Sequence, residues 1–213
     1  MIKIQGSFQR DVSIACSGGV DSMAVVDFLR RNHNCRLFFF DHGTETSEEA
    51  KEFLFDYVSD KNREYWDRPI ATKLELEVGS IKDKKDSSQS WEEYWRICRY
   101  KFFHSVSSDV ITCHHLDDCV ETWIWSSLHG EGKIIPYRNR NVIRPFRANK
   151  KSEFYNWCRT HNVPWVEDLS NGDTKFIRNF IRKELVDKCL IINPGLATVI
   201  RKKVLNDEKF SNT

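Results

Sequence analysis

The sequence has no Cys-x-x-Cys pair: its seven cysteines stand at positions 16, 35, 98, 113, 119, 158 and 189. That spacing excludes a zinc knuckle and offers no obvious iron–sulfur ligand set, so buried reduced thiols are the simple reading. Glycine (nine) and proline (five) are scarce in the 213 residues, and with 40% hydrophobic and 30% charged residues the composition is that of an ordinary globular protein. Long apolar runs are missing. The longest near the amino terminus is Leu37–Phe40, against the about 18 residues a membrane helix requires. Residues 1–15 lack the apolar stretch and small-residue cleavage site of a secretory signal. The expectation is a cytoplasmic protein with no membrane partner. Neither an internal repeat nor a low-complexity tract is present.

What is there is unevenly charged. Residues 1–132 carry 16 basic and 23 acidic side chains, and residues 133–213 carry 17 and 8. A basic carboxyl-terminal third suits a polyanionic partner, although a solvated basic face explains it equally. Fourteen phenylalanines and seven tryptophans supply a core. VSIAC (12–16) and RLFFF (36–40) read as buried strands. DSMAVVDFLRRN (21–32) and TSEEAKEFLFDYVSDK (46–61) read as the helices that follow them, the second opening on Thr/Ser caps and acidic residues. Strand–helix–strand–helix at this length predicts an α/β layer with a parallel sheet. Farther on, helix is predicted over 91–106, from HHLDD to Gly130, in KKSEFYNWCRTHN, and from about Thr174 and Pro194; strand is predicted in DVITC (109–113). VIRPF (142–146) is extended because Pro145 disfavours helix at Arg144. KDKKDSSQS (82–90) reads as a polar loop, and REYWDRPIATKLELEVGS holds a strand of unassigned place. We expect an α/β domain over 1–147, completed by a small basic helical appendage over 148–213.

The most chemical stretch is SGGVDS (17–22), between a strand and a helix. Gly18 and Gly19 let backbone approach an anion, and the helix beginning near Asp21 aims its N–H groups and dipole at the same place. Ser17 and Ser22 add hydroxyl donors. Asp21 is the odd member, since a carboxylate beside phosphate makes sense mainly with Mg²⁺ between them. The spacing is neither a Walker loop, whose lysine is missing, nor G-x-G-x-x-G. A tight turn with Asp21 as a helix cap is the plain alternative. CHHLDDCVET (113–122) follows a strand, so it lies on the same carboxyl edge as SGGVDS. Asp117, Asp118 and Glu121 share one helical turn there, beside His114 and His115. Stabilisation by the helix dipole accounts for such acids, but metal, a cationic substrate or base chemistry would use them too. Arg99 in RICRYKFF, and Arg178, Arg182 and Lys183 in the 167–185 stretch, are surface ion-pairing residues or phosphate ligands.

Together these stretches resemble the tRNA(Ile)-lysidine synthetase family of the N-type ATP pyrophosphatases. SGGVDS, DHGTETSEEA, RYKFF, HHLDDCVET, VIRP, WVEDLSNGDTKFIRNFIRKEL and NPG stand in the family's order, from about residue 12 to about residue 200. The resemblance implies a PP-loop fold and a reaction in two steps. ATP adenylates the wobble cytidine of an isoleucine tRNA with a CAU anticodon, and free L-lysine then displaces AMP. It implies ATP contacts from Ser17, Gly18, Gly19, Val20, Asp21 and Ser22, and a catalytic set of Asp21, Arg99, His114, Asp118 and Glu121. Lysine would meet Asp118 and Glu121, and Mg²⁺ would meet Asp21 and Glu121. Where the family has a Gly-rich segment ending in Gly-Met, this chain has GEGKIIPYRNRN (130–141). Longer family members carry tRNA-binding domains after the NPG helix, so a short form would use Arg138, Arg140, Arg144, Arg178 and Arg182 for tRNA. Modification of a different tRNA base or by a different nucleophile is the alternative. Thiolation is the weaker version of it, because C-x-x-C is missing.

Overall fold

The computed structural model describes residues 1–67, 73–167 and 177–211; of residues 64–67, 178 and 208–211 it describes the backbone alone. At its centre lies a six-stranded sheet of order β3-β2-β1-β4-β6-β5. The strands are β1 (Asp11–Ala15), β2 (Asn34–Asp41), β3 (Leu74–Ser80), β4 (Val110–Ile111), β5 (Arg138–Asn139) and β6 (Val142–Ile143). All pair in parallel except β5, which turns back antiparallel on β6. The strand left unassigned by the sequence is β3, at one edge. DVITC yields only two ladder residues and VIRPF only two, since their neighbours leave the sheet to form loops.

Helices cover both faces, which is why RLFFF is apolar without alternation. Cys35, Leu37 and Phe39 face the main core with α1 (Val20–Leu29) and α2 (Glu45–Asp67). Phe38 and Phe40 face α3 (Trp91–Ser105), meeting Phe103 and Tyr94. Gly79 on β3 lets α3 lie close: a Cβ there would stand 2.6 Å from the Phe102 ring. Helix α1 is buried on nearly every side, because α5 (Lys151–His161) packs over its outer face. Its buried Asp27 is matched by Arg31 at 2.9 Å and by the Trp157 indole N–H at 3.0 Å.

Beyond the short helix α6 (Ile177–Phe180), a second core joins α4 (Leu116–Leu128) to Ile181 and Leu185 and to α7 (Val186–Ile192) and α8 (Leu196–Ser211). Between α6 and α7 the chain makes a π-helical turn, Ile181–Leu185. Buried Arg147 ties α8 down, donating to Asp207 at 2.7 Å and to the Ile135 carbonyl at 2.5 Å. No described helix is long and apolar enough to cross a membrane.

Candidate active site

The strand order reverses between β1 and β4, and in an open parallel sheet the ligand crevice lies at the carboxyl ends of such a pair. Here that crevice is a cavity of about 660 Å³. Its walls include Ser17, Gly19, Val20, Asp21, Ser22, Arg99, His114, His115, Asp118 and Arg182. Side chains spread over 166 positions of sequence thus meet in one space: the SGGVDS loop and the 114–118 cluster follow β1 and β4, Arg99 comes from the middle of α3, and Arg182 from the π-helical turn.

The SGGVDS loop is shaped from within. Gly18 has φ +79°, a left-handed backbone that L side chains resist. Gly19 is the N-cap of α1 and supplies no side-chain cap, so the first-turn N–H groups at this helix end are left without one at the cavity edge. Ser22 Oγ donates to the Gly19 carbonyl at 2.9 Å and accepts the Ser17 N–H at 3.2 Å, which closes the loop on itself. Asp21 lies in the first turn rather than at the cap. Its Oδ1 is buried with no hydrogen-bond partner among the described residues. An orphaned carboxylate oxygen beside a phosphate-sized cradle suits Mg²⁺, which takes one or two carboxylates plus substrate phosphates. Among the described residues, no group of three or more His, Cys, Asp or Glu side chains could hold a metal by itself.

The acid cluster is built around His115, which is 2% exposed. It is the N-cap of α4: Nδ1 accepts the Asp118 N–H at 3.2 Å, while Asp118 Oδ2 accepts the His115 N–H at 2.9 Å. This reciprocal capping box leaves the neutral ring's proton on Nε2, which faces Asp21 Oδ2 at 3.6 Å. Burial disfavours the charged ring, but Asp118, Asp21 and Asp117 outweigh it and raise the His115 pKa. His115 therefore couples the loop to the acid cluster. The sequence reading gave the catalytic place to His114, which borders the cavity with Nδ1 3.0 Å from Thr112 Oγ1.

Glu121 is 4% exposed, and its carboxylate is gripped by Arg182: Nε donates to Oε1 at 2.6 Å and Nη2 to Oε2 at 3.1 Å. Arg182 also stands 3.6 Å from Asp118 Oδ1. It occupies the π-helical turn, whose extra residue rotates the chain locally, and such turns recur at functional sites. Burial raises the Glu121 pKa, with Arg182 pulling against it. A Mg²⁺ role for Glu121 meets a guanidinium on both oxygens; Asp21 alone keeps an unpartnered one. Arg182, read from the sequence as a tRNA ligand, lies inside the cavity.

Arg138, Arg140 and Arg144 are not brought to this cavity. Arg138 makes a two-pronged pair with Asp109 at 2.6 and 2.7 Å, and Arg140 sits on the β5–β6 turn with φ 54°. That turn lies at the amino-terminal end of parallel β6, the opposite end of the sheet from the cavity. Arg144 is a correction: it is 2% exposed and donates to the Pro136 carbonyl and the Tyr100 hydroxyl, at 3.0 and 2.9 Å. It holds the fold and presents no surface to RNA. The Arg178 side chain and the whole DLSNGDTKF segment lie outside the described residues. Lys151 and Tyr155, which no motif points to, also line the cavity, as does Trp165 at the head of the WVEDLS stretch.

Comparison with known proteins agrees with this geometry. Relatives named tRNA(Ile)-lysidine synthase include one from Thermotoga maritima, 31% identical over 208 residues, covering 91% of this chain and 48% of that protein. Another, from Thermosipho africanus, is 30% identical over 211 residues, covering 92% of this chain and 47% of that one. The chain thus spans about half the length of these relatives. Among solved structures, the U34-tRNA thiolase NcsA from Methanococcus maripaludis with its [4Fe-4S] cluster has a TM-score of 0.65 at 15% identity. It covers 94% of this chain and 74% of its own, a likeness of fold alone. A family model described as the PP-loop domain matches residues 2–189, so the chain, with SGGVDS at the turn where the cavity opens, belongs to the PP-loop domain family.

Proposed function

We propose that the chain activates a tRNA base with ATP and joins lysine to it, as the names of its relatives suggest. One observation carries the reading: an anion cradle and a carboxylate cluster open into a single cavity, with Arg99 on its wall. In this reading the first-turn N–H groups of α1 and the hydroxyls of Ser17 and Ser22 hold the ATP phosphates. Arg99 stabilises the negative charge that grows as pyrophosphate leaves. Mg²⁺ between Asp21 and the phosphates would supply further charge neutralisation.

The second step needs a neutral amine, and lysine's free pKa is about 10.4. Asp118 binds the ammonium and, in doing so, favours its charged form. The carboxylate must then accept the proton as the amine attacks the activated base. Its Oδ2 is fixed by the His115 N–H and its Oδ1 looks toward Arg182, so the receiving oxygen is oriented before substrate arrives. Glu121 acts through Arg182 as a positioning residue.

Thiolation would need a reactive thiolate. Of the cavity's lining thiols, Cys16 is pushed up by burial, and Cys113 is pushed well above its ordinary pKa by burial, with Cys16, Asp21 and Asp118 adding to it. That weighs against a sulfur reading. The test is ATP–pyrophosphate exchange with and without CAU-anticodon isoleucine tRNA: exchange that requires the tRNA supports activation of its base. Exchange stimulated by lysine in the absence of RNA would instead mean that the amino acid is adenylated, and would overturn the order of steps.

A further inference from the structure

Trp91 is the largest side chain type, yet it is 57% exposed at the first position of α3. It is not loosely held. Ser90 caps the helix by accepting the Glu93 N–H at 3.1 Å, and Trp91 packs edge-on against Tyr94 with ring centroids 5.8 Å apart. Trp91, Trp95 and Arg99 recur every four residues, so they form one line along the helix, and Arg99 ends that line on the cavity wall. The rings continue across to the sheet. Trp91 and Trp95 lie 5.7 Å apart, and Trp95 lies 5.7 Å from His42, which borders the cavity.

Charge accompanies the rings. Lys85 Nζ stands 5.4 Å over the Trp91 ring, and Lys82 and Lys84 are exposed in the same segment. The two acids of the segment are engaged locally: Asp83 pairs with Lys101 at 2.7 Å, and Asp86 accepts from Ser88 N and Oγ at 2.8 and 2.7 Å. Glu93, two residues on from Trp91, is carried around the helix away from its ring, while Glu92 lies on the flank of the line, three residues before Trp95. Lys85 Nζ itself donates to the Asp86 carbonyl at 3.1 Å, which holds it over the ring. Rigid aromatic faces beside lysines are the chemistry of single-stranded nucleic acid binding, where rings stack on bases and cations track the backbone. Duplex RNA offers no free base face to such a surface.

We propose that Trp91, with Trp95 behind it and Lys85 beside it, is a stacking platform for an unpaired nucleotide of the RNA loop whose target base enters the cavity. The platform rests on the RNA-modifying reading above and adds a second contact outside the reacting centre. It gives an otherwise unexplained exposed tryptophan a ligand of stated chemistry, a base in a single-stranded loop.

The experiment measures binding of two probes by fluorescence anisotropy: a synthetic anticodon stem-loop RNA with a CAU anticodon, and a blunt RNA duplex. Trp91→Ala should weaken stem-loop binding on the order of tenfold, leave the duplex unchanged, and leave ATP-induced thermal stabilisation intact. Trp91→Phe should recover most of the loss, because a ring remains. Lys85→Ala should flatten the salt dependence for the stem-loop by about one counterion. Equal stem-loop affinity for Trp91→Ala and wild type overturns the platform. So does an equal loss on both probes. If Trp91 proves necessary for stem-loop binding while no lysine joins the RNA, the platform stands and the proposed reaction falls. A wild-type protein that binds neither probe overturns both.

Discussion

Removing Arg182 tests how the carboxylate cluster is held. In Arg182→Met the side chain keeps its length and loses its charge, stranding a Glu121 that is 4% exposed. Breaking a fully buried ion pair from one side costs about 3–5 kcal/mol. The Arg182 side chain is 34% exposed, so solvent already screens part of its interaction. A loss of about 2–3 kcal/mol at neutral pH is the scaled expectation. The pH dependence identifies the cause. Burial already raises the Glu121 pKa against the pull of Arg182, and without the guanidinium it rises further. Between the unfolded value of about 4.3 and the raised folded one, the native state binds more protons than the unfolded state, so stability falls as pH rises. Urea unfolding should therefore show a wide gap between variant and wild type at about pH 7.5 and a narrow one below about pH 5. Placing Arg182→Met in a Glu121→Gln background should shrink its cost, because no buried charge is left unpaired. A pH-independent loss, or one below about 0.5 kcal/mol, would refute the clamp.

Other expectations follow from the same cavity. Asp21→Asn should leave the fold intact and lower adenylation by about a hundredfold or more, seen as lost pyrophosphate exchange, because the orphaned oxygen loses its charge. Gly18→Ala should cost about 1 kcal/mol or more in thermal unfolding from its φ of +79°, whereas Gly19→Ala, whose Cβ would meet only Ser17 Oγ at 3.5 Å, should be tolerated without ATP and weaken ATP binding. Asp118→Ala should raise the KM for lysine far more than the KM for ATP; an unchanged lysine KM would remove Asp118 from the amine's site. His115, with its raised pKa, contributes stability that is complete below about pH 6.5 and lost as pH rises through the folded value. His115→Asn should flatten wild-type stability across about pH 6 to 8, read by chemical denaturation.

The parts of the site that sequence made legible are those whose residue type is dictated by local backbone. Gly18 and Gly19 announce a turn onto a helix, and the spacing from Asp117 to Glu121 announces one helical turn. Contacts over long separations were not legible. Nothing in the sequence ties Glu121 to Arg182, since their meeting depends on a π-helical turn and on α4 packing against the carboxyl-terminal helices. Arg144 carried the opposite lesson: an arginine in a basic stretch reads as a surface residue, and only the loops around it reveal its burial. The ladder in DVITC is shorter than its apolar run, because such a run shows what is buried, not how many residues join the ladder. The helical periodicity of α1 likewise concealed a helix enclosed on nearly all sides, since the covering helix α5 lies more than a hundred residues farther along.

The central claim is that a phosphate cradle and a lysine-binding carboxylate share one cavity and act on one base. The most direct measurement incubates the protein with ATP, isotopically labelled lysine and CAU-anticodon isoleucine tRNA, then digests the RNA to nucleosides for mass analysis. The account predicts a cytidine carrying the label, formed with AMP and pyrophosphate and abolished in Asp118→Ala. ATP cleavage to AMP and pyrophosphate with no label on the RNA would contradict it.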